Sequence, residues 1–528
     1  MASNSVLRER LERLNAIGIA LSGETDINAL MEHILVAAKS LVHADAGTLY
    51  RLQDDQLHFE IVMTDRLGVA LGGTTGKAVP LPPVPLYHSD GTPNRNNVVA
   101  CSVLEGRTIN IADAYEAQGY DFSGTRRFDA ANSYRSQSFL TVPLKNHERE
   151  IIGALQLINA LDSKGETREF DAEDQHLVES LASQAAIALT NRALIESLQT
   201  LFESFIKLIN LAIDDKSPYT GGHCQRVPAL TMLLADAAAA TTSGPLRDFQ
   251  LNETERYELQ IAGLLHDCGK VTTPVHVVDK ATKLQTLYDR IGLIETRFEV
   301  LKRDAEIAHL RGELTHEAHV QLLAQYADDL AFLRRCNVGG EFMRDEDLAR
   351  LHHIAGYRWR TPQGVDEPFL SNDELQNLAI RKGTLTDSER QIINHHIEVT
   401  IQMLESLPWP KHLRNVPEYA GGHHERMDGK GYPRGLTREQ MSIQARIMGI
   451  ADVFEALTAR DRPYKHGMKL SQAMTIMARM VAEQHIDPDL FEVFLCEKVW
   501  LRYAESYLET QQIDAVDEEA LRKLAGLA

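Results

Sequence analysis

Six side chains in the second half of the sequence are of the types that bind metal ions. They are His223, His266, Asp267, His423, His424 and Asp452. Imidazole and carboxylate groups suit divalent iron, manganese or zinc, and the adjacent His266 and Asp267 would let one carboxylate bridge two ions. Two ions held roughly 3.5–4 Å apart would bind both the attacking and the leaving oxygen of a phosphodiester. The residue types therefore predict a buried dinuclear metal centre.

The elements that would position these ligands are helices. His266 and Asp267 follow the apolar residues 261–265, which predicts that they lie near the end of a buried helix. Adjacent histidines indicate little by themselves, because neighbouring side chains of a helix diverge by about 100°. At a helix end, however, His423 and His424 can both reach one cavity.

Length and composition limit the kind of protein. A chain of 528 residues exceeds what one hydrophobic core usually serves, so a multidomain protein is expected. The net charge of −20 argues against a nucleic acid polymer as partner. The five cysteines form no CxxC pair, which is typical of a reduced compartment, and no apolar run of about eighteen residues occurs that would span a membrane. We therefore expect a cytoplasmic protein.

Residues 1–24 are predicted to form an N-terminal helix, and residues 25–175 an α+β sensor domain. An amphipathic helix is expected over residues 27–43, where apolar side chains recur with a 3.6-residue period. Strand-like segments follow at residues 47–51, 57–63, 108–111, 139–145 and 151–159. Strands enclosed by two helices predict a sheet with its helices on one face.

Several motifs of this region resemble a GAF domain, over about residues 25–192. They are Gly106-Arg-Thr-Ile-Asn110-Ile-Ala-Asp113, Phe128-Asp129, Ser138-Phe-Leu-Thr-Val-Pro143-Leu and Ile152-Gly-Ala-Leu-Gln156-Leu-Ile-Asn159. The resemblance implies a pocket for a small-molecule ligand. GAF domains that bind cyclic nucleotides have Asn-Lys and then Phe, three residues and Asp-Glu, whereas this chain has Ala160 in place of the Lys and Gln175 in place of the Glu. A cyclic nucleotide, another ligand, and a dimerising scaffold without a ligand all stay open.

Residues 176–213 are predicted to form one long connecting helix, because the segment has no Gly or Pro. Its apolar residues alternate at spacings of three and four, as in a coiled coil. They are Leu181, Ala188, Ile195, Leu198, Phe202, Phe205 and Ile209, with the polar Gln184 and Asn191 in the same seam. Polar seam residues commonly fix the register of a parallel dimer. We expect a homodimeric connector, and the alternative is a helix packed on its own domain.

Residues 214–485 are predicted to form an all-α bundle with a helical insertion at about residues 286–380, and residues 486–528 further helices. The bundle has six motifs. They are Tyr219-Thr-Gly-Gly-His223-x-x-Arg226-Val, Leu265-His-Asp-x-Gly-Lys270, Gly431-Tyr432-Pro433, Arg446-Ile, Asp452-Val-Phe-Glu-Ala-Leu-Thr and Arg462-Pro-Tyr-Lys465. In order and spacing they resemble the HD-GYP family, a subgroup of the HD metal phosphohydrolases that cleaves cyclic di-GMP. The resemblance covers about residues 205–485 apart from the insertion.

The resemblance implies a full set of metal ligands. The first ion would lie among His223, His266, Asp267 and Asp452, and the second among Asp267, His396, His423 and His424. His396 is the expected ligand rather than His395, because the family histidine precedes a small residue by four and Thr400 takes that place. Members with three metals have a Glu where this chain has Tyr219, so two ions are expected. Family precedent and mixed nitrogen and oxygen ligands favour iron, with manganese next.

The resemblance also implies roles in hydrolysis. Asp267 would bridge the ions that activate a water, and Lys270 would neutralise charge on the phosphoryl oxygens. Arg462 and Lys465 are expected to contact substrate, and the Gly431-Tyr432-Pro433 loop to shape the pocket mouth or to dock a partner such as a GGDEF-domain protein.

The implied reaction is hydrolysis of cyclic di-GMP to linear pGpG and then GMP, under control of the GAF domain. Two alternatives stay open. One is hydrolysis of another cyclic dinucleotide such as cyclic GMP-AMP, and the other is a low-activity signalling adaptor that binds nucleotide.

The insertion contains two further histidines, in the sequence His316-Glu-Ala-His319. The metalloprotease pattern places its histidines at i and i+4, whereas these lie at i and i+3. We expect His316 and His319 to lie on a solvated helix surface.

Overall fold

The computed structural model describes residues 2–216, 222–340, 342–459 and 467–527, without the side chains of residues 2–11 and 13. The chain forms two compact units, residues 1–202 and 203–528. Arg462, Lys465 and Tyr219 lie outside the described residues. Among the described helices, none has a stretch apolar and long enough to cross a bilayer.

The first unit is built around one antiparallel sheet. Its strands are β1 (Ala44–Gln53), β2 (Gln56–Thr64), β3 (Val69–Gly72), β4 (Val84–Pro85), β5 (Ile109–Ile111), β6 (Phe139–Lys145), β7 (Ile151–Leu161) and β8 (Thr167–Arg168). Its helices are α1 (Ala2–Gly23), α2 (Ile27–Val42), α3 (Val98–Glu105), α4 (Ser123–Asn132) and the start of α5 (Ala172–Lys216). The main strand order is β3-β2-β1-β7-β6-β5.

Helices cover both faces of this sheet. Successive strand residues point to opposite faces. Leu49 and Leu155 belong to the core that α2 and α5 cover, whereas their neighbours Tyr50 and Ala154 belong to a second core that includes Val99 of α3. The α+β class is confirmed, but the prediction of helices on one face was wrong, because α3 lies in a region between strands that gave no helical signal.

Two polar residues of the GAF signature are engaged within the fold. Asn159 accepts a hydrogen bond from the Gln137 backbone N–H and donates to the Tyr134 hydroxyl. Asp174 is buried and pairs with Arg168 at 2.5 Å. Both side chains therefore stabilise the turns around β7 and the start of α5.

Helix α5 is the predicted long helix, with 45 residues. Leu181, which we expected in the dimer seam, is fully buried in the core of the first unit, because this part of α5 packs on the sheet. The predicted seam is therefore wrong at its start. Further along, large apolar side chains are exposed at sevenfold spacing. They are Ile187, Leu194, Leu201 and Leu208, with Leu198 and Phe205 between them.

The second unit is mainly helical. Its helices are α6 (His223–Ala239), α7 (Glu253–Leu265), α8 (Val275–Val278), α9 (Ile291–Leu310), α10 (His316–Val338), α11 (Asp345–Ala355), α12 (Asn372–Leu378), α13 (Asp387–Glu405), α14 (Val416–Gly421), α15 (Ile443–Thr458), α16 (Leu470–Ala482), α17 (Pro488–Cys496), α18 (Val499–Tyr507) and α19 (Glu518–Ala525). Helices α7 and α15 both pack on α6, α14 packs on α7 and α13, and the C-terminal α17 and α18 also pack on α6.

The insertion has a hydrophobic core of its own, which includes Phe298 of α9, Phe332 of α10 and Phe369. It is mainly helical, as predicted. It also contains a short hairpin, β9 (Arg358–Arg360) and β10 (Asp366–Pro368), which the sequence pattern did not indicate. A separate core allows the insertion to interrupt the bundle without disturbing the helices that hold the candidate ligands.

Candidate metal centre

The predicted ligands come from the ends of short helices and from two helix faces. His223 is the first residue of α6, and His266 and Asp267 directly follow α7. Helix α14 ends at Gly421, and His423 and His424 follow two and three residues later. His396 and Asp452 lie within α13 and α15. Ends of helices let adjacent residues such as His266 and Asp267 turn into one cavity, which a continuous helix does not allow.

The structure brings these residues into two groups that share one carboxylate. The first group is His223, His266 and Asp267, and the second is Asp267, His396, His423 and His424, each with its ligating atoms within 4.8 Å of one another. Asp267 Oδ2 lies 3.0 Å from His223 Nε2 and 3.2 Å from His266 Nε2. Asp267 Oδ1 lies 3.2 Å from His396 Nε2. The two oxygens of Asp267 therefore face different groups, which is the geometry of a bridging ligand.

Asp452 joins the first group. Its Oδ1 lies 3.4 Å from His223 Nε2 and 4.0 Å from His266 Nε2. The two groups thus coincide with the division of ligands that the family resemblance implied. That these residues bind ions stays a prediction.

Backbone carbonyls fix the rings of three of these histidines. The Nδ1 atoms of His266, His396 and His423 lie 2.5–2.7 Å from the carbonyl oxygens of Gly263, Ile393 and Ala420, each three residues earlier. A carbonyl can only accept, so Nδ1 holds the hydrogen and Nε2 keeps its lone pair. This tautomer is the one that lets Nε2 bind a metal.

The Nε2 atoms of the histidines converge, and two buried acceptor atoms of the centre lack a hydrogen-bond partner. His266 Nε2 lies 3.4 Å from His223 Nε2, and His424 Nε2 lies 3.2 Å from His396 Nε2. His423 Nε2 and Asp267 Oδ1 are buried atoms for which the structure shows no hydrogen bond. Buried acceptors that face one another are unfavourable unless a cation lies between them. The residues therefore fit divalent metal ions.

The electrostatic environment gives Asp267, His423 and His424 the protonation states that metal ligands need. For His223, burial lowers the pKa, but the carboxylates of Asp267, Asp452 and Glu455 raise it well above its usual range. Burial alone would raise the pKa of Asp267, but Lys270 and His266 hold it well below its usual range. Burial and the neighbouring His424 hold the pKa of His423 well below its usual range, and burial lowers the pKa of His424 to about 4. At neutral pH the carboxylate is ionised and these two imidazoles are neutral.

Lys270 reaches the centre from the turn after Asp267. Its Nζ lies 2.5 Å from Asp267 Oδ2, and about a quarter of its side chain is exposed. The turn itself is fixed by Gly269, whose N–H donates to Thr400 Oγ1 at 2.9 Å and whose Cβ, if present, would lie 2.0 Å from the His396 carbonyl oxygen. Lys270 therefore places a partly exposed ammonium group beside Oδ2 of Asp267, the carboxylate that the two groups share.

The adjacent histidines of α13, His395 and His396, differ in burial and in their neighbours. His396 is buried beside Asp267, whereas His395 is 61% exposed and its Nδ1 lies 2.7 Å from Glu398. Thr400, the small residue that distinguished the two in the sequence, supports the Gly269 turn.

The Gly431-Tyr432-Pro433 loop forms part of the wall of this centre. The Tyr432 ring stacks on the His424 ring, with centroids 4.9 Å apart and an angle of 19° between the planes. The buried carboxylate of Glu425 accepts hydrogen bonds from the backbone N–H groups of Arg434 and Leu436, which fixes the loop. The loop therefore contacts the predicted ligand His424 directly, in addition to the role at the pocket mouth that the sequence predicted.

Sequence reasoning gave no role to Glu455, which the structure places next to His223 Nδ1 at 2.5 Å. The available signal was its position three residues after Asp452, which puts both carboxylates on one face of a helix.

Comparisons with known proteins agree with this architecture. Residues 26–189 match the model of the GAF domain, and residues 220–356 and 372–490 match models of the HD domain. The chain therefore contains a GAF domain followed by an HD-type domain, and the two resemblances described from the sequence are confirmed.

Three relatives are similar to part of this chain. A cyclic di-GMP phosphodiesterase of Pseudomonas aeruginosa is 33% identical over 31% of this chain and 36% of its own length. A 3′3′-cGAMP-specific phosphodiesterase of Vibrio cholerae is 40% identical over 36% of this chain and 39% of its own length. A probable cyclic di-GMP phosphodiesterase of Vibrio cholerae is 33% identical over 47% of this chain and 56% of its own length. This chain thus spans about one third to just over one half of each of these relatives.

Proposed function

We propose that this protein is a metal-dependent phosphodiesterase that hydrolyses a cyclic dinucleotide. The observation that supports it most is the placement of Asp267, whose two oxygens face two separate groups of histidines. The relatives named above act on cyclic dinucleotides, and we propose cyclic di-GMP as the first substrate. The products would be linear pGpG and then GMP.

The chain's own residues would bind the substrate phosphate and control charge around it. Divalent ions at this centre would lower the pKa of water towards neutrality and offset the charge of the phosphodiester. His266, His396 and His423 keep their Nε2 atoms directed into the cavity through the hydrogen bonds that their Nδ1 atoms donate to backbone carbonyls. Lys270 would move from Asp267 to a phosphoryl oxygen, where a positioned cation stabilises the transition state. We propose iron for the ions, with manganese next.

A second substrate follows from one comparison. The 3′3′-cGAMP-specific relative has the higher identity of the two classes, at 40% against 33%. Metal ions at this centre would act on the phosphodiester, which both substrates share, so the predicted ligands do not distinguish the two substrates. An adaptor with little turnover is the third proposal, and the complete ligand set disfavours it.

One experiment separates these functions. Protein loaded anaerobically with iron would be incubated with cyclic di-GMP, with 3′3′-cGAMP and with pGpG, and the products separated by chromatography. We expect pGpG from cyclic di-GMP, with GMP following. Preference for 3′3′-cGAMP would favour the second proposal, and binding of two ions without turnover of any substrate would favour the adaptor.

Three further expectations stay predictions: regulation by the GAF domain through a small-molecule ligand, docking of a GGDEF-domain protein at the Gly431-Tyr432-Pro433 loop, and the cytoplasmic location. The expected homodimer is supported by the exposed apolar residues of α5 at sevenfold spacing, Leu194, Leu201 and Leu208. Replacing Leu198 and Leu201 by Glu should convert a dimer into a monomer in light scattering. The matched control is Gln199→Glu, at an exposed polar position of the same helix. A dimer that survives the double substitution would contradict this role for α5.

A further inference from the structure

Glu455 is a buried carboxylate beside the candidate metal centre. Its side chain is 1% exposed, and it accepts hydrogen bonds from His223 Nδ1 at 2.5 Å and from Arg226 Nε at 2.7 Å. Its position in α15 is three residues after Asp452, and Asp452 Oδ1 lies 3.4 Å from the other ring nitrogen of His223. One turn of α15 therefore contacts His223 at both nitrogens.

The contact decides the tautomer of His223. An ionised carboxylate can only accept, so Nδ1 holds a hydrogen and Nε2 is the nitrogen left to bind a metal ion. Nε2 lies 3.0 Å from Asp267 Oδ2 and 3.4 Å from His266 Nε2. The Arg226 guanidinium donates to the second oxygen of Glu455. Its positive charge favours the ionised form of the carboxyl group.

His223 differs in this respect from the histidines that a backbone carbonyl fixes. In His266, His396 and His423, Nδ1 donates to the backbone carbonyl three residues earlier in the chain. That carbonyl belongs to the preceding helical turn. His223 begins α6, so among the described residues no preceding turn of that helix supplies a carbonyl. A side chain from another helix, Glu455 of α15, contacts Nδ1 in its place.

We propose that Glu455 is a positioning residue that fixes the His223 ring for metal binding and strengthens His223 as a ligand. A carboxylate partner raises the basicity of a ligating imidazole more than a neutral carbonyl does. This inference rests on the proposed metal centre. It assigns Glu455 an action through His223, without contact to substrate.

The test measures metal binding by the full-length protein. Glu455→Gln keeps the size of the side chain but removes the charge, and its amide can donate to Nδ1 and so favour the wrong tautomer. Titration of Mn²⁺ against a chelator should show one of two ions bound about 10- to 100-fold more weakly, as loss of a partner of a metal ligand typically causes. Electron paramagnetic resonance at two equivalents of Mn²⁺ per centre should show coupled pairs in the wild type and a shift towards isolated ions in Glu455→Gln.

Glu258→Gln is the matched control. Glu258 is also a buried glutamate of the second unit, 4% exposed, and it accepts from the Asn415 backbone N–H at 2.6 Å, away from the predicted ligands. We expect that variant to lower the free energy of unfolding without changing either Mn²⁺ affinity. Glu455→Asp keeps the anion but shortens its reach, and should weaken the same ion by a smaller factor.

The outcomes separate this inference from the proposed function. Wild-type protein that binds no Mn²⁺ would remove the metal centre itself. Two ions in the wild type, with unchanged affinities in Glu455→Gln, would overturn the positioning role alone. If only Glu455→Asp folds, unchanged affinities in that variant would have the same meaning.

Discussion

Two groups of histidines in the second unit look alike in composition and differ in what surrounds them. In the candidate metal centre, carboxylates lie between the rings, and Nε2 atoms converge to within 3.2–3.4 Å. In the insertion, His309 stacks on His319 with ring centroids 5.0 Å apart, and His316 lies 5.6 Å from His309. Within the described ranges, only the metal-centre residues bring three or more ligating atoms within 4.8 Å.

The difference shows that nearby imidazoles are not sufficient for a metal site. The expected solvated surface holds for the exposed His316, whereas His309 and His319 are half-buried, and His319 Nε2 has no hydrogen-bond partner in the structure. This cluster does not bring three ligating atoms within 4.8 Å of one another, so it lacks the compact set of donors that a metal ion needs. Four predictions test this comparison.

The largest effect is expected from Asp267→Asn, which removes the charge shared by both groups. Bridging charge is worth several kcal/mol of transition-state stabilisation, so turnover should fall by about 1000-fold or more. Elemental analysis should show fewer than two ions per chain. Normal metal content with normal turnover would show that Asp267 does not bridge.

The second prediction compares the adjacent histidines of α13. His396→Ala should weaken one ion by about 100-fold or more, since a ligand matters at least as much as its hydrogen-bond partner. His395→Ala is the control, because that ring is exposed and pairs with Glu398. Equal metal affinities in the two variants would remove His396 from the ligand set.

The third prediction concerns Lys270, which supplies a positive charge but is not a predicted metal ligand. Lys270→Met should leave both ions bound and lower kcat by about 100-fold, the effect of losing one positioned group that stabilises developing charge. Metal content and kcat are measured on the same sample. A loss of metal in step with kcat would mean that Lys270 supports the ligands rather than the reaction.

The smallest effect is expected in the insertion. His319→Ala should change neither metal stoichiometry nor turnover, because its cluster does not bring three ligating atoms within 4.8 Å of one another. Elemental analysis of the wild type should give two ions per chain, and a third ion that His319→Ala abolishes would contradict the comparison.

Much of the fold followed from local pattern. The apolar period of residues 27–43 predicted α2, and the segments at residues 47–51 and 139–145 predicted parts of β1 and β6. Helix α3 was missed because its eight residues, Val98–Glu105, are mostly buried and have no polar face to give a helical period. The seam in α5 was wrong at Leu181, since an apolar residue has the same appearance in a dimer seam and in its own domain's core.

The sequence by itself determined which residue types could bind metal, because imidazole and carboxylate chemistry is a property of each side chain and the motifs fix their order. The resemblance to the family also predicted His396 rather than His395, through Thr400 four residues later. Only the tertiary structure decided which nitrogen of each ring faces the cavity, since that depends on the partner of Nδ1. For His223 this partner is Glu455, 232 residues away in the chain, and the packing of α6 on α15 brings the two together.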